Sequence, residues 1–425
     1  MSMKMSEAGL KRVKRFAAAL FAFTVPFSVT AVEAALFLMF CVLFIESRVG
    51  AENRAAPLRA ASRQPLFTMW MLYLAAGLTA AVFAMDKGRA FAYLPSDLIK
   101  YLCFATLLST LKDELLGTAA EFYTAGAVFA AAAGAAHVAW FFSSYDSFYQ
   151  RAGAFSNPVR YGEILVIAFA FVLSSILRPP AGEGPSRTKF RLAALALLFV
   201  TVLLTRTRGA YLGLMLVPAA IFAFDGPSRR RLALWGGGML LLGALAAAFN
   251  PYVRERIGNP YSQAAAAPAA DGGRTLTVGN KNIVGVNIRL ELWKTGAAMF
   301  RDHPLLGVGP ANVKNAFRLY HPGPLGVQET WSSLHNLYLH QLAERGLTGL
   351  AALLALFGGM FALSLRNFRK ERDAFTLWAV SLLPAFFVMN LTEISFQHVH
   401  TSFAVLMALA ASTNSAARRD TGARL

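Results

Sequence analysis

The chain has 425 residues, of which 56% are hydrophobic and 15% are charged, and its formal net charge is +18. Long apolar segments recur along almost its whole length, which excludes a soluble globular protein and indicates a polytopic helical membrane protein. The basic residues are grouped in short stretches between apolar segments, which argues against a nucleic-acid-binding surface. We therefore predict an all-α membrane protein.

The apolar segments predict about twelve membrane-spanning helices. From the N-terminus, the predicted spans are 15–30, 31–46, 66–85, 95–111, 119–141, 160–177, 190–205, 207–224, 232–249, 335–365, 373–390 and 395–412. Arginine and lysine residues crowd alternate short loops, which is the pattern that marks cytoplasmic loops. This pattern places both termini in the cytoplasm.

The spans divide the chain into four parts. Residues 1–249 form the first nine spans, 335–412 form the last three, and 413–425 form a cytoplasmic tail. Residues 250–334 form by far the longest loop, and the alternation of sides places that loop outside the cytoplasm. A loop longer than about 15 residues usually carries function or disorder, so we predict a partly helical cap.

The cap sequence predicts two short helices. The segment 286–304 reads VNIRLELWKTGAAMFRDHP and predicts a helix that ends before its proline, with Arg289 and Trp293 on one face. The glycine turn within 305–315 precedes a second helix. The stretch 262–273, rich in alanine and glycine, is interpreted as a linker or a mobile flap.

Three loops on the predicted outer side carry more arginine than such loops normally do. Guanidinium groups stay charged and can bind two phosphate oxygens at once, so arginines that converge on one side suit an anionic ligand. Alternatively, each arginine could extend to lipid headgroups, and the helical arginine of the cap could pair with Glu291 or Glu329. The candidate anion-binding residues are Arg151, Arg160, Arg206, Arg208 and Arg289.

The stretch SSLHNLYLHQLAERGLTG at 332–349 places His335, Asn336 and Tyr338 where the cap gives way to the tenth span. Imidazole exchanges a proton near neutral pH, so this histidine fits a general base that removes a proton from an acceptor hydroxyl. The alternative is a histidine that binds backbone groups at a helix end. That structural interpretation is applied to His303, His321, His340, His398 and His400.

The tenth predicted span is longer than a membrane requires. A helix over 335–365 would rise about 45 Å, against a hydrocarbon core of about 30 Å. Gly346 and Gly349 are the positions where we expect it to bend. Glu344 and Arg345 are then expected near the membrane surface.

The sequence predicts neither a cofactor nor a metal site. Acidic residues on the predicted outer side form no D-x-D or E-x-D pair that would hold Mg²⁺ or Mn²⁺ against a diphosphate. No phosphate-binding loop occurs, so ATP is not indicated.

Several motifs together resemble the O-antigen ligase and polymerase superfamily. TRTRGAYLGL at 205–214 resembles its Ser-Arg-Gly-Ala motif, with Thr207 in the serine position. RLELW…FRDHPLLGVGPAN at 289–312, followed by LHNLYLHQLAERGLTGL at 334–350, is similar to its signature region. GAFSNPVRYGE at 153–163 departs from the common pattern after its proline, in a way that resembles the lipopolysaccharide ligases more than the protein-glycosylating branch.

This resemblance implies a C-type membrane glycosyltransferase fold in a bacterial inner membrane, with the active site facing the periplasm. A polysaccharide would move from undecaprenyl diphosphate to a sugar hydroxyl of lipid A–core, with inversion and without a metal or nucleotide. By position, Arg208 and Arg289 would bind the diphosphate, and His335 would be the base or would position the acceptor. The candidate substrate-binding residues are Arg151, Arg160, Arg206, Trp293, Asn336 and Tyr338.

Two other functions stay open from the sequence. An O-antigen polymerase or a protein O-oligosaccharyltransferase would use the same donor chemistry. Outside the superfamily, a transporter or flippase for an anionic lipid or sugar would also have many spans and charged residues. Against transport, the candidate residues gather on the predicted outer side and not at the bilayer midplane.

Overall fold

The structure of the chain is a computed structural model. It describes residues 7–49, 64, 66–141, 151–180, 182–226, 236–238, 281–323, 325 and 328–421. Across these residues the backbone is helical and contains no strand, in agreement with the predicted all-α class. The predicted ninth span, apart from 236–238, and the stretch 262–273 lie outside the described residues.

Most described helices overlap the predicted spans, although their ends differ by several residues and the predicted span 15–30 is divided by a turn between Thr24 and Val29. Two further helices lie in the predicted cap. In chain order they are α1 (Glu7–Thr24), α2 (Val29–Val49), α3 (Leu66–Val82), α4 (Lys87–Thr110), α5 (Glu114–Trp140), α6 (Pro158–Leu177), α7 (Pro185–Leu204), α8 (Arg208–Asp225), α9 (Lys281–Asp302), α10 (Val313–Tyr320), α11 (Leu337–Lys370), α12 (Ala374–Met389) and α13 (Val399–Thr421), with a 3₁₀ turn at Ser395–Gln397 before α13. The end of α9 at Asp302 confirms that the following proline stops this helix.

Six helices in the described part of the chain are long and apolar enough to cross a membrane, namely α2, α4, α5, α6, α8 and α11. The shorter helices α3 and α12 are also apolar. This helix content is consistent with a polytopic membrane protein. The count of about twelve spans and the side on which the cap lies stay predictions.

Helix α11 is broken at Gly346, one of the two glycines where its length predicts a bend. Gly346 has φ 61° and ψ −158°, a conformation outside the helical region. The segment 304–309 fills the break: Val308 N–H donates to the Ala343 carbonyl at 2.9 Å, and Leu347 N–H donates to the Pro304 carbonyl at 2.8 Å. The cap is therefore hydrogen-bonded directly into the helix that follows it.

The cap helices α9 and α10 share a small apolar core with the start of α11. Its fully buried members include Leu292 and Met299 of α9, Phe317 of α10, and Leu334 just before α11. This core packs the chain around residue 335 against α9.

A cluster of buried charges ties α11 to α4. Arg345 is fully buried and its guanidinium lies 2.5 Å from the Asp97 carboxylate, which also binds Lys100 at 3.3 Å. We call Asp97, Lys100 and Arg345 the buried ion cluster. Glu344 and Arg345 are both buried within the helix bundle, and their expected position near the membrane surface stays a prediction.

Candidate functional site

His335 lies in the turn that leads into α11, and its backbone has a left-handed φ of 48°. Such a conformation is uncommon for residues other than glycine and costs on the order of 1 kcal/mol or more. Two hydrogen bonds hold the turn: Ser333 Oγ accepts from the His335 N–H at 3.1 Å, and the Leu337 N–H donates to the Asn390 carbonyl at 2.8 Å. Backbone strain of this kind gathers at functional sites.

The imidazole of His335 contacts the carboxylate of Glu393, which lies between α12 and the 3₁₀ turn. His335 Nδ1 is 3.1 Å from one carboxylate oxygen and 3.0 Å from the other. The His335 side chain is 26% exposed and that of Glu393 is 6% exposed. The histidine is therefore open to a second molecule, whereas the carboxylate is enclosed.

Burial by itself would raise the pKa of the Glu393 carboxyl, but its neighbours lower it to about 2. They are the hydrogen bond and attraction of His335, the attraction of His398, and the Ile394 N–H, which donates to Glu393 at 3.1 Å. Glu393 is therefore ionised at neutral pH.

A second histidine lies on the other side of this carboxylate. His398 Nε2 is 4.0 Å from a Glu393 oxygen. Arg160 of α6 also interacts electrostatically with His398. The sequence interpretation treated this residue as structural, and the geometry places it beside His335 and Glu393.

Two of the predicted arginines, on separate helices, interact electrostatically with each other, and one of them also interacts with this carboxylate. Arg208 is the exposed first residue of α8, and Arg289 is partly buried on α9. Burial lowers the pKa of Arg289, the charge of Glu393 opposes that shift, and the positive charge of Arg208 adds to it. Segments distant in sequence thus bring Arg289 near the carboxylate that binds His335, and bring Arg208 near Arg289.

The alternative that Arg289 pairs with a cap glutamate is wrong. Glu291 instead binds Lys294 at 2.8 Å, and Glu329 binds Arg318. Neither Arg208 nor Arg289 forms an ion pair with any carboxylate among the described residues. Their charges remain available to an anion.

The other three arginines of the predicted outer loops occupy different positions. Arg151 donates to the Thr205 carbonyl at 2.8 Å and to Thr207 Oγ1 at 3.2 Å, so it holds the turn that precedes α8. Arg206, in that turn, is buried with φ 53°. Arg160 is exposed on the first turn of α6. Their roles in substrate binding stay predictions.

Three further candidates hold the turn that carries His335. Trp293 Nε1 donates to the Leu334 carbonyl at 3.0 Å, and Asn336 caps α11 by accepting from the Leu339 N–H at 3.1 Å. The Tyr338 hydroxyl donates to the Phe387 carbonyl at 2.8 Å. These contacts position the turn, and whether these side chains also bind substrate stays a prediction.

Two acidic residues near the site, Glu393 and Glu163, are absent from the candidates predicted from the sequence. Glu163 is fully buried on α6, and one of its carboxylate oxygens accepts from Ser395 Oγ at 2.7 Å. A signal for Glu393 exists in the sequence, because LTEISFQHVH at 391–400 puts a glutamate and two histidines into one short connection between apolar segments. Spacing did not show that this connection lies beside His335.

The arrangement offers one accessible imidazole with its Nδ1 occupied, and two guanidinium groups without an ion-pair partner in the described residues. Such a combination can bind an anion and remove a proton from a hydroxyl. Across the residues that the structure describes, no group of three or more histidine, cysteine, aspartate or glutamate side chains is arranged to hold a metal ion.

Part of the chain matches a known protein family. Residues 193–354 match the family model described as O-Antigen ligase. No curated protein matches the chain. The matched segment contains Arg208, Arg289 and His335, whereas Glu393 lies beyond its end.

Proposed function

We propose that this chain, a member of the O-antigen ligase superfamily, transfers a polysaccharide from undecaprenyl diphosphate to a sugar hydroxyl of lipid A–core. The observation that carries the proposal is that Arg289, which has no ion-pair partner among the described residues, interacts electrostatically both with Arg208 and with the carboxylate that binds the strained, partly exposed His335. In this proposal, the arginines of α8 and α9 bind the donor, and His335 at the start of α11 removes the acceptor proton.

Arg208 and Arg289 bind the diphosphate of the donor in this proposal. A charge-assisted hydrogen bond contributes about 1.5–3 kcal/mol, and a guanidinium can make two of them with one phosphate. As the glycosidic bond to the diphosphate breaks, negative charge grows on the leaving oxygen. Fixed positive charges stabilise that change without reorganising during the reaction.

His335 removes the acceptor proton. Its Nε2 takes the proton of the sugar hydroxyl while the hydroxyl oxygen forms a bond to the anomeric carbon of the donor. The bond between that carbon and the diphosphate oxygen breaks, and its electron pair leaves with undecaprenyl diphosphate. Attack from the face opposite the leaving group inverts the anomeric configuration. General-base assistance of this kind contributes about 10²–10⁴-fold in rate.

The proposed setting is the bacterial inner membrane, with both termini in the cytoplasm and the site facing the periplasm. The alternation of basic loops supports this orientation. The arginines supply the positive charge that the diphosphate needs, so the proposed reaction uses no metal, nucleotide or ATP.

Reconstitution tests the proposal. The purified protein is mixed with undecaprenyl-diphosphate-linked polysaccharide and lipid A–core in the presence of EDTA, and glycosylated lipid A–core is measured. We expect product formation. Growth of the lipid-linked polymer without lipid A–core modification would assign a polymerase instead. Movement of the donor between leaflets without any product would assign a transporter.

A further inference from the structure

Glu393 has contacts that the proposed reaction does not yet use. Both oxygens of its carboxylate lie within hydrogen-bond distance of His335 Nδ1, and the Ile394 N–H donates to the same group. Its side chain is only 6% exposed. Two hydrogen-bond donors and the enclosing side chains therefore fix the position of the Glu393 carboxylate.

We propose that Glu393 is the positioning residue of the site, which fixes the Nδ1 proton of His335 and so directs an unprotonated Nε2 at the acceptor hydroxyl. The inference rests on the proposed function, because it assigns a partner to the base of that reaction. A carboxylate that holds the far nitrogen of a histidine selects the tautomer and orients the ring.

Glu393 is not itself the base. Its oxygens already accept hydrogen bonds, and its burial leaves little room for an incoming sugar. The pKa of about 2 makes this carboxylate a weak proton acceptor at neutral pH. His335, with about a quarter of its side chain exposed, is the member of the pair that a substrate can reach.

The carboxylate has a second consequence during the reaction. When Nε2 takes the acceptor proton, the imidazole becomes positively charged, and the adjacent negative charge of Glu393 stabilises that state. Backbone hydrogen bonds also hold together the two segments that carry His335 and Glu393. Leu337 N–H binds the Asn390 carbonyl at 2.8 Å, and Phe396 N–H binds Asn390 Oδ1 at 3.1 Å, so the segment that carries Glu393 is hydrogen-bonded to the start of α11.

Other charged or titratable groups also act on this pair. His398 faces Glu393 from the same segment, at 4.0 Å. His340 on α11 interacts electrostatically with His335 and Glu393. Arg289 on α9 acts on Glu393, and Arg208 on α8 acts on Arg289. Among the described residues, none of these groups forms a hydrogen bond with the His335 imidazole, whereas Glu393 does.

The experiment compares Glu393→Gln and Glu393→Asp with wild type in the reconstituted transfer assay. The glutamine keeps the size and an acceptor oxygen but loses the charge, whereas the aspartate keeps the charge on a shorter side chain. Glu329→Gln is the matched control, because Glu329 is 76% exposed on the cap and pairs with Arg318. Turnover, the KM for each substrate and the rate–pH profile are measured for each protein.

For Glu393→Gln we expect turnover to fall by about 10–100-fold with the donor KM unchanged, as for other residues that orient a functional histidine. The acid limb of its profile should move to lower pH by about one unit or more, because a charge that favours the protonated ring is gone. Glu393→Asp should regain part of the turnover with the wild-type acid limb, and Glu329→Gln should match wild type.

Wild-type turnover in Glu393→Gln would overturn the inference, and so would reduced turnover with an unmoved acid limb, since that outcome indicates a structural role. If the glutamine protein does not insert into membranes, the aspartate protein decides by whether its acid limb matches wild type. Absence of transfer by the wild-type protein would instead overturn the proposed function, so the two failures are distinguishable.

Discussion

The buried ion cluster and the candidate site are built on the same helix, α11, but their charges have different partners. In the buried ion cluster, Arg345 contacts Asp97 directly and lies over the Tyr73 ring at 5.0 Å, entirely out of contact with solvent. At the candidate site, Arg208 and Arg289 lack an ion pair within the described residues, and His335 is partly exposed.

The difference separates charges that pair with each other inside the fold from charges that we propose bind a ligand. A buried ion pair fixes how two helices meet, and breaking it leaves an uncompensated charge. Guanidinium groups without an ion-pair partner in the described residues keep their capacity for a substrate anion. Residue type alone does not make this distinction, since arginine and a carboxylate occur in both clusters.

The largest effect is expected at the base. His335→Ala removes the base that would take the proton of the sugar hydroxyl, so transfer should fall by about 10³-fold or more while the protein still inserts into the membrane. Transfer by purified protein and the amount of inserted protein are both measured. Normal transfer by a stably inserted variant would remove the base assignment.

The opposite behaviour is expected in the buried ion cluster. Asp97→Asn removes the carboxylate beside Arg345 and Lys100, and breaking a buried pair costs about 3–5 kcal/mol of stability. Thermal unfolding in detergent should shift strongly, whereas turnover per folded molecule should stay near wild type. A selective loss of turnover with normal stability would contradict the comparison.

A smaller effect is expected at the anion-binding arginine of the cap. Arg289→Ala removes charge-assisted hydrogen bonds to the donor, so kcat/KM for the donor should fall by about 10–100-fold. Arg289→Lys should recover part of this loss, because it restores the charge without the paired geometry. A change confined to the lipid A–core KM would place this arginine on the acceptor side.

The smallest effect is expected at Tyr338. Its hydroxyl donates to the Phe387 carbonyl, so Tyr338→Phe should lower stability by about 0.5–1.5 kcal/mol. Transfer should stay within about threefold of wild type if this contact is its main role. A larger loss of transfer at unchanged stability would make Tyr338 a substrate contact, as the sequence analysis predicted.

The sequence analysis was most successful where local chemistry is sufficient. A proline after Asp302 stops α9, and a helix too long for the bilayer breaks at Gly346, because both effects depend on the chain nearby. The motifs around Arg208, Arg289 and His335 also lie in the segment that matches the family model. Features of this kind can be predicted from the sequence because each depends on residues that lie close together along the chain.

Contacts between side chains that are distant in sequence could not be predicted in this way. Glu393 was overlooked, and Glu329 was weighed as a partner for Arg289 although it binds Arg318. Spacing along the chain also does not show that Arg345 binds Asp97 on another helix. Each error concerns which side chain meets which, and helix packing decides that.

By itself, the sequence determined the helical, membrane-protein character of the chain and the residue types that suit an anion and a proton. Hydropathy and local breakers act over one or two helical turns, so they survive without knowledge of the fold. Only the tertiary structure decided that Glu393 holds His335 and that Arg345 is enclosed. Electrostatic and hydrogen-bond partners are set by distances of a few ångströms between helices, which spacing along one chain does not specify.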